Sequence, residues 1–185
     1  MQALESSRPT LDHGSAAVVS QPDLPKDDFS LEIIGAGDRQ AFELLCHEHY
    51  GPLEHFFSLL LPTMPARDLC EEVFVEVWSS ARECPPNLTA MTLILSIGLR
   101  HAVAYHRGND APTAVDTRLS LLGESPARGE FRQKLGRLQW EQRVVATLVY
   151  GMGLPLQTIS QITAMSDQEV CGHLSGALRQ LRPRG

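Results

Sequence analysis

No stretch of this 185-residue chain is apolar for long enough to cross a bilayer. The nearest candidates, residues 56–61 and 90–99, are stopped by Pro62 and Arg100. The first residues lack a basic flank followed by an apolar core, so they do not read as a secretory signal. These absences point to the cytoplasm and to no membrane partner. Cysteine is sparse and scattered: Cys46, Cys70, Cys84 and Cys171 form no CxxC pair, which excludes a disulfide framework and predicts four free thiols. There is no P-loop, no GxGxxG after a strand, no HExxH and no GxSxG, and hence no enzyme signature. Cys46, His47, His49 and His55 lie close in sequence. On a helix Cys46 and His49 share a face while His47 points elsewhere, so a metal sensor is a minor alternative, and no metal or cofactor is expected.

A basic excess is also missing. The formal net charge is -6, which argues against nonspecific nucleic-acid binding by the chain as a whole. The distribution is uneven, however. From Arg128 onward eight Lys/Arg face four Asp/Glu, so the last third is locally basic and the part before it acidic. Two modules with different partners are expected from this asymmetry.

Alternating Val/Ile/Thr strands and repeats are absent, and helical periodicity takes their place. Residues 1–25, rich in Ser, Pro and small side chains, predict a flexible tail. A helical block begins near Asp28, with Phe29, Ile33 and Ile34 as a first apolar stripe broken by Gly35-Ala36-Gly37. Asp38 reads as an N-cap. Phe42, Leu45, His49, Leu53, Phe56, Phe57 and Leu60 then recur every three or four residues, with Gly51-Pro52 as a bend or break. Pro62 and Pro65 mark a turn. The next helix, residues 66–81, carries Leu69, Val73, Val77 and Ser80 on one face, with Phe74 beside it and Asp68, Glu71, Glu72 and Glu76 opposite. Cys84-Pro85-Pro86 ends it. A third long helix is predicted over 88–106, a linker over 108–127 with a short helical turn at 119–122, and a helix from Phe131 to Tyr150. The fold class expected is all-α: two small helical domains, 26–107 and 128–185, joined by a flexible linker.

The rear section holds the strongest local pattern. A short helix at 156–163, a three-residue connection Ala164-Met165-Ser166 and a longer helix from Asp167 to Leu181 have the spacing of a helix-turn-helix. Ser166 and Glu169 form an S-x-x-E capping box that fixes where the last helix starts. Val170, Leu174, Leu178 and Leu181 are expected inward, leaving Gln168, Cys171, Gly172, Ser175 and Arg179 outward, where a major groove would lie.

Along residues 28–182 the sequence resembles the extracytoplasmic-function sigma factors of the sigma-70 family. Gly37-Asp38-Arg39-Gln40-Ala41-Phe42 resembles the opening "GD-x-x-AF", and residues 68–78, Asp68 through Trp78, resemble the "DLVQEVFxxxW" helix. Gln142-Arg143, Gly153-Leu154-Pro155, Ile159-Ser160 and Ser166 with Val170 resemble the family's helix-turn-helix domain. The resemblance implies that the residue 66–81 helix docks on core RNA polymerase through Asp68, Glu71, Glu72 and Glu76, with Phe74 and Trp78 as aromatic anchors. It also implies promoter DNA as a partner, contacted by Arg100, His101, Tyr105 and Arg107 in the melting helix and by Arg143, Gln168, Cys171, Gly172, Ser175 and Arg179 in the rear domain. An anti-sigma factor is a further implied partner. The sequence departs from the pattern at the DNA-contacting positions: Leu93, Arg100 and Ala104 stand where the melting helix usually has Trp, Asn and Asp. A sigma-like regulator that binds polymerase or another protein without reading promoter DNA is therefore the alternative.

Overall fold

The computed structural model describes residues 31–61, 66–85, 87–108 and 126–182. The expected N-terminal tail, Phe29, the Pro62–Pro65 turn, Pro86, and residues 109–125 of the expected linker with its 119–122 turn lie outside them. The described residues are all-helical. Helix α1 (Leu31–Gly35) leads into α2 (Arg39–Leu60), α3 (Ala66–Ser80) and, after a 3-10 turn (Ala81–Glu83), α4 (Ala90–Gly108). The rear section comprises α5 (Pro126–Leu135), α6 (Trp140–Ala146), a π turn (Thr147–Gly151), α7 (Leu156–Thr163) and α8 (Asp167–Leu181).

Local chemistry explains most boundaries. The Asp38 carboxylate accepts from the Ala41 N–H at 3.0 Å and starts α2. Gly51-Pro52 does not end this helix: Pro52 is buried within a continuous 22-residue element. One ladder hydrogen bond is lost there, and burial of Leu53, Phe56 and Phe57 around it offsets the loss. In α1, Leu31 and Ile34 face the core while Ile33 is exposed. The helix expected from Phe131 to Tyr150 is two helices. Leu135 and Leu138 are both buried, and the chain turns between them, with the Gly136 N–H donating to the Arg132 carbonyl at 3.0 Å. The π turn that follows is closed by Met152 N–H donating to the Thr147 carbonyl at 3.0 Å.

The capping box at α8 is present in both directions, with Ser166 Oγ accepting from the Glu169 N–H and the Glu169 carboxylate accepting from the Ser166 N–H at 2.8 Å. The inward face of α8 is not quite the expected one. Val170, Gly176 and Ala177 are buried, Leu174 is half-buried, and Leu178 is 41% exposed. The face is centred by Gly176, where α8 comes so close to α6 that an added Cβ would lie 2.6 Å from Gln142 Nε2.

The front section (residues 31–108) and the rear section (126–182) share one continuous apolar cluster. It runs from Ile34, Leu45, Phe56 and Val73 through Ile94 and Leu99 to Val145, Leu148, Ile159 and Val170. Helix α4 lies against α7, and α2 against the π turn and α5. Two sections of opposite charge character are thus packed on each other, with α4 and α7 at the seam.

Candidate functional site

Helix α3 divides cleanly into two sides. Leu69, Cys70, Val73, Phe74 and Val77 are buried. Asp68, Glu71 and Glu72 are exposed, and Glu76 is half-buried. The Arg67–Glu71 pair at 3.3 Å bridges two largely solvated side chains, and such a pair holds little energy. In the middle of the acidic ridge stands Val75, 71% exposed. Sequence reasoning missed it. Its signal was present: Val75 is the one aliphatic residue between Glu72 and Glu76 that falls off the inward stripe.

The two expected aromatic anchors sit elsewhere. Phe74 is 7% exposed and stacks on Tyr50 of α2, with ring centroids 6.4 Å apart. Trp78 is half-buried against Phe42 at 4.9 Å. Both rings serve to fasten α3 to α2. The carboxylates of Asp68, Glu71 and Glu72, with Val75, Arg67 and Ser79, form the exposed surface of α3.

The acidic ridge and α4 are directly joined. Arg100 Nη2 donates to Glu76 Oε1 at 2.7 Å, and the His101 ring bridges Glu76 Oε2 at 2.8 Å and Glu72 Oε2 at 3.2 Å. The hydrogen bond from His101, with Arg100 nearby, holds the Glu76 carboxyl below the usual glutamate range, against an opposing push from partial burial. Two residues expected at DNA are therefore engaged by two residues expected at polymerase. The spacing explains it: Arg100 and His101 project from α4 toward α3, which packs alongside. Farther along α4, Tyr105 is half-buried while His106 and Arg107 are exposed at its end. His106 stacks flat on Trp140 of α6, with centroids 4.2 Å apart and planes 7° from parallel.

In the rear section, the Arg143 guanidinium is turned onto backbone carbonyls of its own section. Its Nε donates to the Leu135 carbonyl at 3.1 Å, and its Nη2 to the carbonyls of Gly136 (3.1 Å) and Leu138 (3.3 Å). It satisfies orphan carbonyls at the end of α5. Burial lowers its pKa from the ordinary value, yet a guanidinium remains charged. Gln168, Cys171, Gly172, Ser175 and Arg179 are all exposed on the outer side of α8. Apart from Arg179 this outer side is uncharged among those residues, so any phosphate attraction comes from one end of the helix.

Two of the histidine-cysteine neighbours are taken up by the core. His49 is 1% exposed, and burial, with Glu43 adding to it, pushes the Cys46 thiol up to about 11. No helix among the described residues is long and apolar enough to cross a membrane.

No family model matches the chain, and no curated protein does. Solved structures do. CnrH, solved in complex with the cytosolic domain of CnrY, is similar over 82% of this chain and 91% of its own, with a TM-score of 0.66 and 21% identity. The sigma factor RpoE, solved with the anti-sigma factor NepR from Bartonella quintana, is similar over 77% and 92%, with a TM-score of 0.61 and 15% identity. At these identities the likeness is one of fold: the chain has the all-helical architecture of a sigma factor, and spans most of it.

Proposed function

We propose that the chain is a sigma factor of the extracytoplasmic-function type, which directs core RNA polymerase to promoters. Helix α3 docks on the polymerase, α4 opens the duplex, and α8 enters the major groove of an upstream element. The observation that carries the reading is the two-sided character of α3. One side is sealed into the core, and the other offers Asp68, Glu71 and Glu72 to solvent around an exposed Val75. A basic partner surface gains encounter rate and register from the carboxylates, and an apolar contact from Val75. Phe74 and Trp78 contribute by holding α3 in place. The fold shared with the sigma factor RpoE supports the same reading, and its bound anti-sigma factor supports a protein antagonist for this chain too.

Melting requires no covalent chemistry, only a base held outside the stack by contacts that offset the cost of unstacking. We assign this contact to Arg107, Tyr105 and His106 at the end of α4, with Arg100 and His101 joining once released from Glu76. A second reading, in which the chain binds polymerase or a regulator without reading DNA, is favoured by one observation: Arg100, His101 and Arg143 are already engaged within the protein.

The test is capture of core polymerase by the wild-type chain and by a Glu71→Lys, Glu72→Lys double variant. The wild type retains core and the charge reversal releases it. Equal retention by both would refute docking through α3. Transcription from a library of promoter fragments then separates the two readings: core binding without any transcript selects the second.

A further inference from the structure

We infer that His101 is a proton-operated positioning residue for the docking carboxylates of α3. Its charged ring ties Glu72 and Glu76 down to α4, and its neutral ring lets Glu72 go, so the chain grips a basic partner surface more tightly as pH rises. The inference rests on the reading of α3 as the polymerase-docking helix and adds a control to that same surface.

The ring sits between two carboxylates one helical turn apart. Nε2 lies 2.8 Å from Glu76 Oε2, and Nδ1 lies 3.2 Å from Glu72 Oε2. A neutral imidazole carries one N–H, so it donates to one of these oxygens only, and its bare nitrogen then faces the other lone pair to lone pair. Both contacts are attractive at once only for the imidazolium, which has an N–H in each direction. The two carboxylates are not held alike. Glu76 has a second donor, Arg100 Nη2 at 2.7 Å on Oε1, and its side chain is 32% exposed. Glu72 has the longer contact to the ring and a side chain 61% exposed. Loss of the proton therefore breaks the Glu72 contact, where water replaces the ring, and leaves the Glu76 contact in place. The hydrogen bond from His101 also holds the Glu76 carboxyl below the usual glutamate range, so Glu76 stays an anion around neutrality, where imidazoles titrate.

Among the described residues, the charged and titratable groups around the ring come from α3 and α4. Glu72 and Glu76 touch it, Asp68 and Glu71 lie along the same groove, and Arg100 and Tyr105 stand beside it on α4. The other helices packed on α4 bring no charge to it. Helix α7 has none between Leu156 and Thr163, and α2 presents Leu53, Phe56 and Phe57 at Gly98. His106, Arg107 and Glu141 stand at the far end of α4. The proton on His101 is thus a single positive charge in an anionic groove that also holds Val75. In the protonated chain, a basic side chain entering that groove meets an imidazolium and two carboxylates already taken. In the neutral chain it meets Glu72 free. Docking and ring protonation oppose each other, and by reciprocity docking expels the proton. The control works within one surface and needs no movement of one section on the other.

Affinity for core polymerase, measured from about pH 5.5 to 8 on the full chain as wild type, His101→Gln and His101→Arg, tests this. Each variant is divided by wild type at the same pH, which cancels the titration of the polymerase's own groups. Glutamine keeps donor and acceptor at every pH and stands for the neutral ring; arginine keeps a charged fork and stands for the imidazolium. Wild type is expected to bind like His101→Arg at the acid end and like His101→Gln at the alkaline end. The span is roughly fivefold, the upper end for one exposed ion pair. Nuclear magnetic resonance of the free wild-type chain needs no variant. Both ring nitrogens of His101 should carry protons in acid, and the side-chain carboxyl signal of Glu72 should move with the ring's titration. A Glu72 signal that ignores the ring would overturn the proton-dependent tie. Ratios flat in pH, with all three forms binding core, would overturn its effect on docking. If no form binds core at any pH, the docking reading of α3 fails and the control of docking falls with it, while the resonance data still decide whether the tie between ring and carboxylates exists.

Discussion

Arg143 offers the sharpest contrast between a residue at DNA and a residue that holds the fold. Replacing it by Met keeps the unbranched stem of the side chain and removes its three hydrogen bonds to the carbonyls of Leu135, Gly136 and Leu138. A hydrogen bond donated by a charged group is worth about 1.5–3 kcal/mol net when buried, and less where water can replace it. The Gly136 carbonyl sits at an exposed contact and will rehydrate; the other two are partly buried. Removing a desolvated charge returns part of the loss. The balance is a destabilisation of about 2–3 kcal/mol, which lowers the melting temperature of a chain this size by roughly 4–12 °C. Arg143→Lys should recover little, since an ammonium cannot reach three carbonyls with a planar fork. The assay is thermal and urea unfolding of Arg143→Met beside wild type, with binding to a forked duplex measured well below the transition. A variant of unchanged stability that loses DNA affinity would refute the capping role and return Arg143 to the groove.

Two further outcomes are expected. Gly172 has nothing within 4 Å of a prospective Cβ, so Gly172→Ala should stabilise α8 by about 1 kcal/mol and raise the melting temperature by roughly 2–4 °C; an unchanged or lower value would show a close approach that the structure lacks. Glu76 has its carboxyl pKa depressed in the folded chain below the ordinary 4.5, so the stability it contributes is whole above that value and is lost as pH falls through the depressed one. Glu76→Gln should therefore be less stable than wild type by up to about 1 kcal/mol at neutral pH, with the gap closing in acid; a gap independent of pH would mean that the Arg100 and His101 contacts do not depend on the Glu76 charge.

What the sequence determined by itself is the set of local structures. Spacing of three and four residues is a property of one helix, so α7 and α8 fall where Ile159, Ile162, Val170 and the Ser166–Glu169 box put them. The acidic side of α3 was legible for the same reason. Only the tertiary structure decided what each helix faces. Phe74 and Trp78 turn inward because α2 presents Tyr50 and Phe42 there, and Val75 is left as the outward apolar residue. Arg100 and His101 meet Glu76 because α3 and α4 run side by side, a pairing across 24 and 25 residues that no periodicity encodes. Leu59, which packs on the rear section beside Gly151, was hidden among Phe56, Phe57 and Leu60: α2 is apolar on more than one side, and a second apolar side acquires meaning only when the rear section, with its gap at Gly151, is packed against it.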